Sequence, residues 1–337
     1  MPQHDLQFSF GSNGAPTIRE QVALARAAES HGFSHFSAFD DLFFRPAWPT
    51  LFSVAQHTTR IGLGPSVVNP YLTHPALIAE YAAILEEVAP GRAYLGIGRG
   101  AFLEEIHVEI SRPLRALREA IALIRQLWAG NAAAYEGEIF SLRPGAALHF
   151  PPPARAIPIM LGTWGERGAR LSGELADELK AGSLWSVRYA QHLWQHIREG
   201  SERAGRHTET CGLVLGPLAA IAEDHAAAAA CARQTLVFYL PYLAPMPQFL
   251  GMEEEQLIRI QARQAEGDLP GAAALISDDL LQEFALFGTP SDVIASIERT
   301  AAETALTRVE FGMPHGPDGS AAALQLLGER VLPHFSR

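Results

Sequence analysis

The segment IGLGPSVVNPYLTHPALIAEYAAILEEVAPGRAYLGIGRG, residues 61–100, decides the fold. It reads as a strand at Ile61–Val67, a long helix at His74–Val88 and a second strand at Ala93–Gly98. Apolar strands joined through a helix belong to a parallel sheet covered by helices. The same unit recurs on both sides. Toward the N-terminus, Leu6–Phe10 is a strand, and Thr17–His31 follows with Ile18, Val22, Leu24, Ala25 and Ala28 at the spacing of one helix face. Gly32 ends that helix in the position where glycine is common. His35–Asp40 and Thr50–Thr58 form the next strand and helix.

Toward the C-terminus, a helix at Pro113–Trp128 precedes strands at Ile157–Gly162, Glu178–Gly182, Leu213–Ala222 and Arg308–Met313. Helices are expected at Glu166–Leu175, Val187–Ala204, from His225 to about Tyr239, at Pro290–Glu303 and at Ser320–Val331. Eight strand–helix units are the number that closes into a TIM (β/α)8 barrel. The reading is therefore one barrel domain over 1–337 with two insertions. The first, at about 131–155, carries YEGEIF and Pro151, Pro152 and Pro153 and reads as a hairpin. The second, at about 241–285, includes the proline-punctuated excursion Pro241–Pro270, which contains a helix at Met252–Gln264 and is a candidate substrate lid. A doubly wound dinucleotide fold would need GxGxxG and an acid about 20 residues on. Gly96–Gly100 has GxGxG spacing, and no aspartate lies between Asp41 and Asp177.

Composition narrows the function. The 337 residues are 48% hydrophobic and 19% charged, a globular profile, and the net charge of −11 argues against nucleic acid as partner. No apolar run approaches a membrane span, and the N-terminus shows no secretory pattern. The two cysteines, Cys211 and Cys231, form no disulfide framework and suit a reducing, cytoplasmic compartment. The expected partner is a small molecule. The apolar helices at His74–Val88 and Pro113–Trp128 suit a homodimer or higher homo-oligomer.

Active sites in such barrels sit at the C-terminal strand ends. Asp40 and Asp41 end strand two. As neighbours in a cleft they can push each other's pKa apart; alternatively, one caps the following turn. Ser66, Val67 and Asn69 end strand three, as a ledge for a planar ring or as a plain Asn-Pro turn. Gly98, Arg99 and Gly100 end strand four, where glycines admit a ligand and arginine can meet an anion. Gly162, Thr163, Trp164, Gly165, Glu166 and Arg167 lead into a helix N-terminus suited to an anion. His192 and His196 lie four apart, but HLWQH lacks the glutamate of HExxH, so no metal site is expected.

These residues carry a resemblance. Residues 61–100, with RPLRALREAIALIRQLWAGN, YEGEIFSL and IPIMLGTWGERGARLSGELADELKAG, resemble the luciferase-like monooxygenase superfamily, and within it the branch using coenzyme F420. The resemblance covers residues 17–185 well and 285–315 loosely. It implies a TIM barrel with insertions and an oxidoreductase that passes a hydride between C5 of the deazaflavin and a small organic substrate. It implies a non-proline cis peptide at Ser66-Val67 behind the ring, ring contact from Asn69 and cofactor contact from Asp40. Gly98–Gly100 and Gly162–Arg167 match the loops around the cofactor tail and phosphate. Asp41 stands where relatives usually carry histidine and becomes the candidate proton donor or acceptor, assisted by Asp40. Ala101 stands where an acid is common. Both departures argue against glucose-6-phosphate dehydrogenase activity. Trp164 and Trp185 are candidate pocket walls. FMN branches share the barrel, so a two-component monooxygenase with a flavin reductase is the alternative reading; a non-catalytic flavin-binding barrel is the third.

Overall fold

The computed structural model of the chain describes residues 6–336. The first five residues of the stretch read as lacking a leader lie outside it. The chain begins with β1 (Gln7–Ser12), α1 (Ile18–Ser30), β2 (His35–Ala38), α2 (Ala47–Ala55), β3 (Gly62–Pro65), α3 (Pro75–Val88), β4 (Leu95–Gly98) and α4 (Pro113–Trp128). A two-stranded antiparallel hairpin, β5 (Tyr135–Glu136) with β6 (Ser141–Leu142), occupies the first insertion. Then come β7 (Ile159–Gly162), α5 (Glu166–Leu175), β8 (Glu178–Gly182), α6 (Val187–Arg203), β9 (Gly212–Gly216), β10 (Leu218–Ile221) and α7 (His225–Tyr239). Four helices, α8 (Met246–Phe249), α9 (Glu254–Ala265), α10 (Leu269–Ala273) and α11 (Asp278–Phe284), build the second insertion. The chain closes with β11 (Ala285–Gly288), α12 (Pro290–Glu303), β12 (Leu306–His315), α13 (Ser320–Leu326), a π-helical turn at Leu327–Val331 and α14 (Leu332–Phe335).

Eight strands pair in parallel in the order β3-β2-β1-β12-β9-β8-β7-β4. The bridges Leu63 to Ala93 and Val68 to Ile97 join the two ends, so the sheet is a nearly closed barrel within a ring of helices. Local chemistry fixes the units. Thr17 and Glu20 form a capping box at α1, and Thr289 and Asp292 form another at α12. Gly32 follows α1 with φ +86°, a left-handed turn that glycine adopts without a steric penalty.

The single seventh strand expected at Leu213–Ala222 is two strands. Pro217 has no N–H for the ladder, and the chain steps there. β9 stays in the barrel, whereas β10 pairs with β12 and with β11, a strand at the end of the second insertion that the sequence reading did not assign. The bent, ten-residue β12 spans both pairings.

Candidate active site

The strand ends converge at one mouth of the barrel. The peptide between Ser66 and Val67 is cis, as the resemblance implies. The Val67 side chain lies across two neighbouring strands, and glycine is required beneath it. A Cβ at Gly98 would sit 2.6 Å from Val67 Cγ2, and one at Gly162 would sit 3.0 Å from Cγ1. These contacts bring β3, β4 and β7 together under one apolar ledge.

Asn69 is buried, and its Oδ1 accepts from the N–H groups of Tyr71 (3.1 Å) and Leu72 (2.9 Å). Its side-chain oxygen therefore holds the turn after β3. Gly100, at φ +85°, abuts the Asn69 amide, where a Cβ would come within 2.9 Å of Nδ2. Arg99 is exposed.

The two aspartates divide their roles. Asp40 Oδ1 accepts from Ala47 N–H (2.8 Å) and so caps the start of α2, while burial raises its pKa. Asp41 makes no such bond. Burial pushes its carboxyl up to about 6, against the pull of the Lys180 charge and with help from Asp40. The end of α7 reaches the same region: burial pushes the Tyr239 hydroxyl up to about 12, with a contribution from the Asp41 charge.

Beneath the mouth the barrel interior is charged. Period-two alternation turns Glu178 and Lys180 of β8, and Arg308 and Glu310 of β12, inward. Arg308 pairs with Glu178. Two residues nearer the mouth, Lys180 pairs with Glu310 and donates to Ser66 Oγ at 2.6 Å. Ser37 donates to Glu310 at 2.5 Å and also bonds Tyr94 at 2.7 Å. Lys180 and Arg308 hold the Glu310 carboxyl below the usual range despite its full burial. This network links the Ser66 end of the ledge to a buried cation that also acts on Asp41. The sequence reading missed Lys180, Glu310, Arg308 and Tyr239. One signal was present: Lys180 is the chain's single lysine, set between Leu179 and Ala181 in an otherwise apolar strand.

The loop after β7 joins the mouth through Thr163, whose N–H donates to Lys180 O at 3.0 Å. α5 starts at Gly165 without a side-chain cap, so its first-turn N–H groups are left to a ligand or water. Trp164 Nε1 donates to Gly182 O at 2.7 Å, which fixes its ring beside the end of β8. Trp185, expected as a pocket wall, is instead in the core with Nε1 donating to Ser296 of α12. The Glu166 carboxylate is directed to α6, 3.2 Å from His192 Nε2. Arg167 lines an outer groove of about 480 Å³ with Arg115, Arg118, Arg170 and Arg203. The second insertion approaches over the mouth, with Tyr242 edge-on to Phe102 of the loop after β4.

A profile described as luciferase-like monooxygenase matches residues 5–308. A 5,10-methylenetetrahydromethanopterin reductase of Archaeoglobus fulgidus is 32% identical over 336 residues, covering 96% of this chain and 98% of the relative. An F420-dependent glucose-6-phosphate dehydrogenase of Nakamurella multipartita is 30% identical, covering 94% and 92%. The solved coenzyme F420-dependent tetrahydromethanopterin reductase of Methanopyrus kandleri superposes with a TM-score of 0.90 at 24% identity, over 98% of this chain and 100% of that one. With a barrel of this topology, a family profile matched over residues 5–308 and relatives matched over nearly their whole length, the chain belongs to the luciferase-like monooxygenase family, where it groups with the F420-dependent oxidoreductases.

Proposed function

We propose that the protein is a coenzyme F420-dependent oxidoreductase acting on a small organic substrate. The observation that carries this reading is the pairing of a flat strand-end ledge with a half-buried acid whose carboxyl is pushed up to about 6. The ledge is Ser66–Val67 over Gly98 and Gly162. The acid is Asp41. The residues fit the coenzyme: Val67 offers an apolar backing for a planar ring, and the uncapped N-terminus of α5 offers N–H groups and a favourable dipole for a phosphate. When bound, the coenzyme supplies two-electron hydride chemistry.

The chain's residues supply the rest. Ser66, anchored by Lys180, fixes the ledge. Asn69 Oδ1 is engaged by its own turn, which leaves Nδ2 as the edge of the carboxamide that can face the ligand. Asp41 holds or releases the proton that accompanies hydride transfer, because a carboxyl titrating near 6 populates both states close to neutral pH. Asp40 supports it by fixing the loop to α2. The 241–285 helices and Tyr239 exclude water over the mouth.

The test is a fluorescence-quenching titration of the purified protein with coenzyme F420 and, separately, with FMN. Micromolar or tighter binding of the deazaflavin, with FMN much weaker, is the expected result. Preference for FMN would replace this reading with oxygen chemistry served by a flavin reductase. Binding of neither would leave a barrel without redox function.

A further inference from the structure

His192 and His196 lie one turn apart on α6, on the face that packs against α5. The glutamate missing from their own helix arrives from the other one. Glu166, the first residue of α5, brings Oε1 to 3.2 Å from His192 Nε2 and Oε2 to 3.7 Å from His196 Nε2. One ligating atom from each of the three residues lies within 4.8 Å of the others. Zinc bonds to nitrogen and oxygen at about 2.0–2.2 Å, which sets tetrahedral ligands roughly 3.4 Å apart. The two measured separations bracket that value but run to different oxygens of the one carboxylate, so the three groups close by up to about an ångström on binding an ion.

The hydrogen bonds of His196 give independent evidence. Its Nδ1 sits 3.1 Å from Glu199 Oε2, and a carboxylate only accepts, so Nδ1 donates. Arg170 donates to the same oxygen at 2.7 Å and fixes it. That leaves Nε2, which is buried and has no hydrogen-bond partner, aimed at a carboxylate oxygen. A buried nitrogen facing an anion is balanced either by a proton on that nitrogen or by a cation between the two, and titration with Zn²⁺ separates them. A histidine whose far nitrogen donates to a carboxylate is also the arrangement that orients and strengthens a metal-binding imidazole. The Phe249 ring of the second insertion lies tilted against His192, with ring centroids 4.9 Å apart.

We propose that Glu166, His192 and His196 bind one zinc-like divalent transition-metal ion, with Glu199 positioning His196 and a fourth position open to water. The ion ties the N-terminus of α5, and with it the Gly162–Arg167 loop, to α6. Its role is structural, so it holds the loop without entering the redox step. The inference stands independently of the cofactor assignment.

The experiment is calorimetric titration of chelator-treated, tag-free protein with Zn²⁺, with Co²⁺ absorption as a second reading. The expected result is one ion per chain, strong visible Co²⁺ bands of a tetrahedral site, and slower hydrogen exchange at Gly165–Ala169 when Zn²⁺ is present. H192A and, separately, E166Q should abolish stoichiometric binding. Glu166 is half exposed, so E166Q tests the ligand without emptying a core position. E199Q should weaken binding by about 10–100-fold while keeping the stoichiometry. Absence of stoichiometric binding by the unmutated protein, or unchanged affinity in E166Q and H192A, would overturn the proposal.

Discussion

At the scale of single residues, Asp41 and Lys180 carry the sharpest expectations. Replacing Asp41 with asparagine should lower turnover by about 10²–10⁴-fold, the usual worth of a positioned acid or base, while cofactor affinity holds. An unchanged kcat would remove the role. If Asp41 donates, activity in the unmutated enzyme is full below pH 6 and declines above it; if it accepts, the limb is reversed. Either limb should vanish in the variant. The same residue sets a stability trend. Its native carboxyl titrates at about 6, above its ordinary value of 3.8. Between those values the native state binds more protons than the unfolded one, so its stability contribution is present at low pH and lost as pH rises through 6. The Tm advantage of D41N should therefore grow between pH 4 and 7; a constant difference would contradict the buried environment. Lys180 works in the opposite sense. Without it, Glu310 is a buried charge that has lost its direct partner and keeps only the field of Arg308 and the Ser37 hydrogen bond, so K180M should destabilise by about 3–5 kcal/mol in denaturant unfolding. Adding Glu310→Gln should recover much of that loss. None of this interior was read from the sequence. Inward charges on β8 and β12 look like ordinary polar positions until the topology sets both strands around one lumen.

At the scale of elements, most of the strands and helices were legible, because parallel barrel strands are short apolar runs and their helices carry caps and one-sided apolar faces. Glu166–Leu175 and Glu178–Gly182 have the boundaries expected from sequence. The failures have local causes. Pro217 splits a strand that hydrophobicity alone reads as continuous, and β11 lay hidden at the end of a proline-rich insertion. The α5–α6 pair was legible as two helices but not as a close contact. Gly173 meets the Ile197 carbonyl and Gly200 meets that of Arg170, where a Cβ would lie 2.0 and 1.9 Å away. Introducing alanine at Gly200 must push the helices apart at backbone, so a loss of about 1–3 kcal/mol is expected. Chemical denaturation of G200A measures it, and a neutral result would mean that the helices can slide.

At the scale of the whole molecule, the barrel mouth was legible as a set of loops but not as a working arrangement. Asp40, Asn69 and Gly100 fell on bonds that any well-made turn uses, whereas Asp41 and Ser66 fell beside the buried cation. A ligand seated across β3, β4, β7 and the start of α5 touches four separate units and should therefore stabilise the barrel cooperatively. At a free concentration 100 times Kd the gain is about 2.7 kcal/mol, read as a rise in Tm with coenzyme F420 and little change with FMN at equal concentration. A rise with FMN alone would contradict the proposed cofactor. The lone lysine has a practical consequence as well. Every other member of the 26 cationic Lys and Arg side chains is arginine. Feeding ¹⁵N-labelled lysine would thus give a spectrum with a single side-chain ammonium resonance, already assigned, buried and bonded to Ser66 of the proposed cofactor ledge. It would report each ligand's arrival without any mutation.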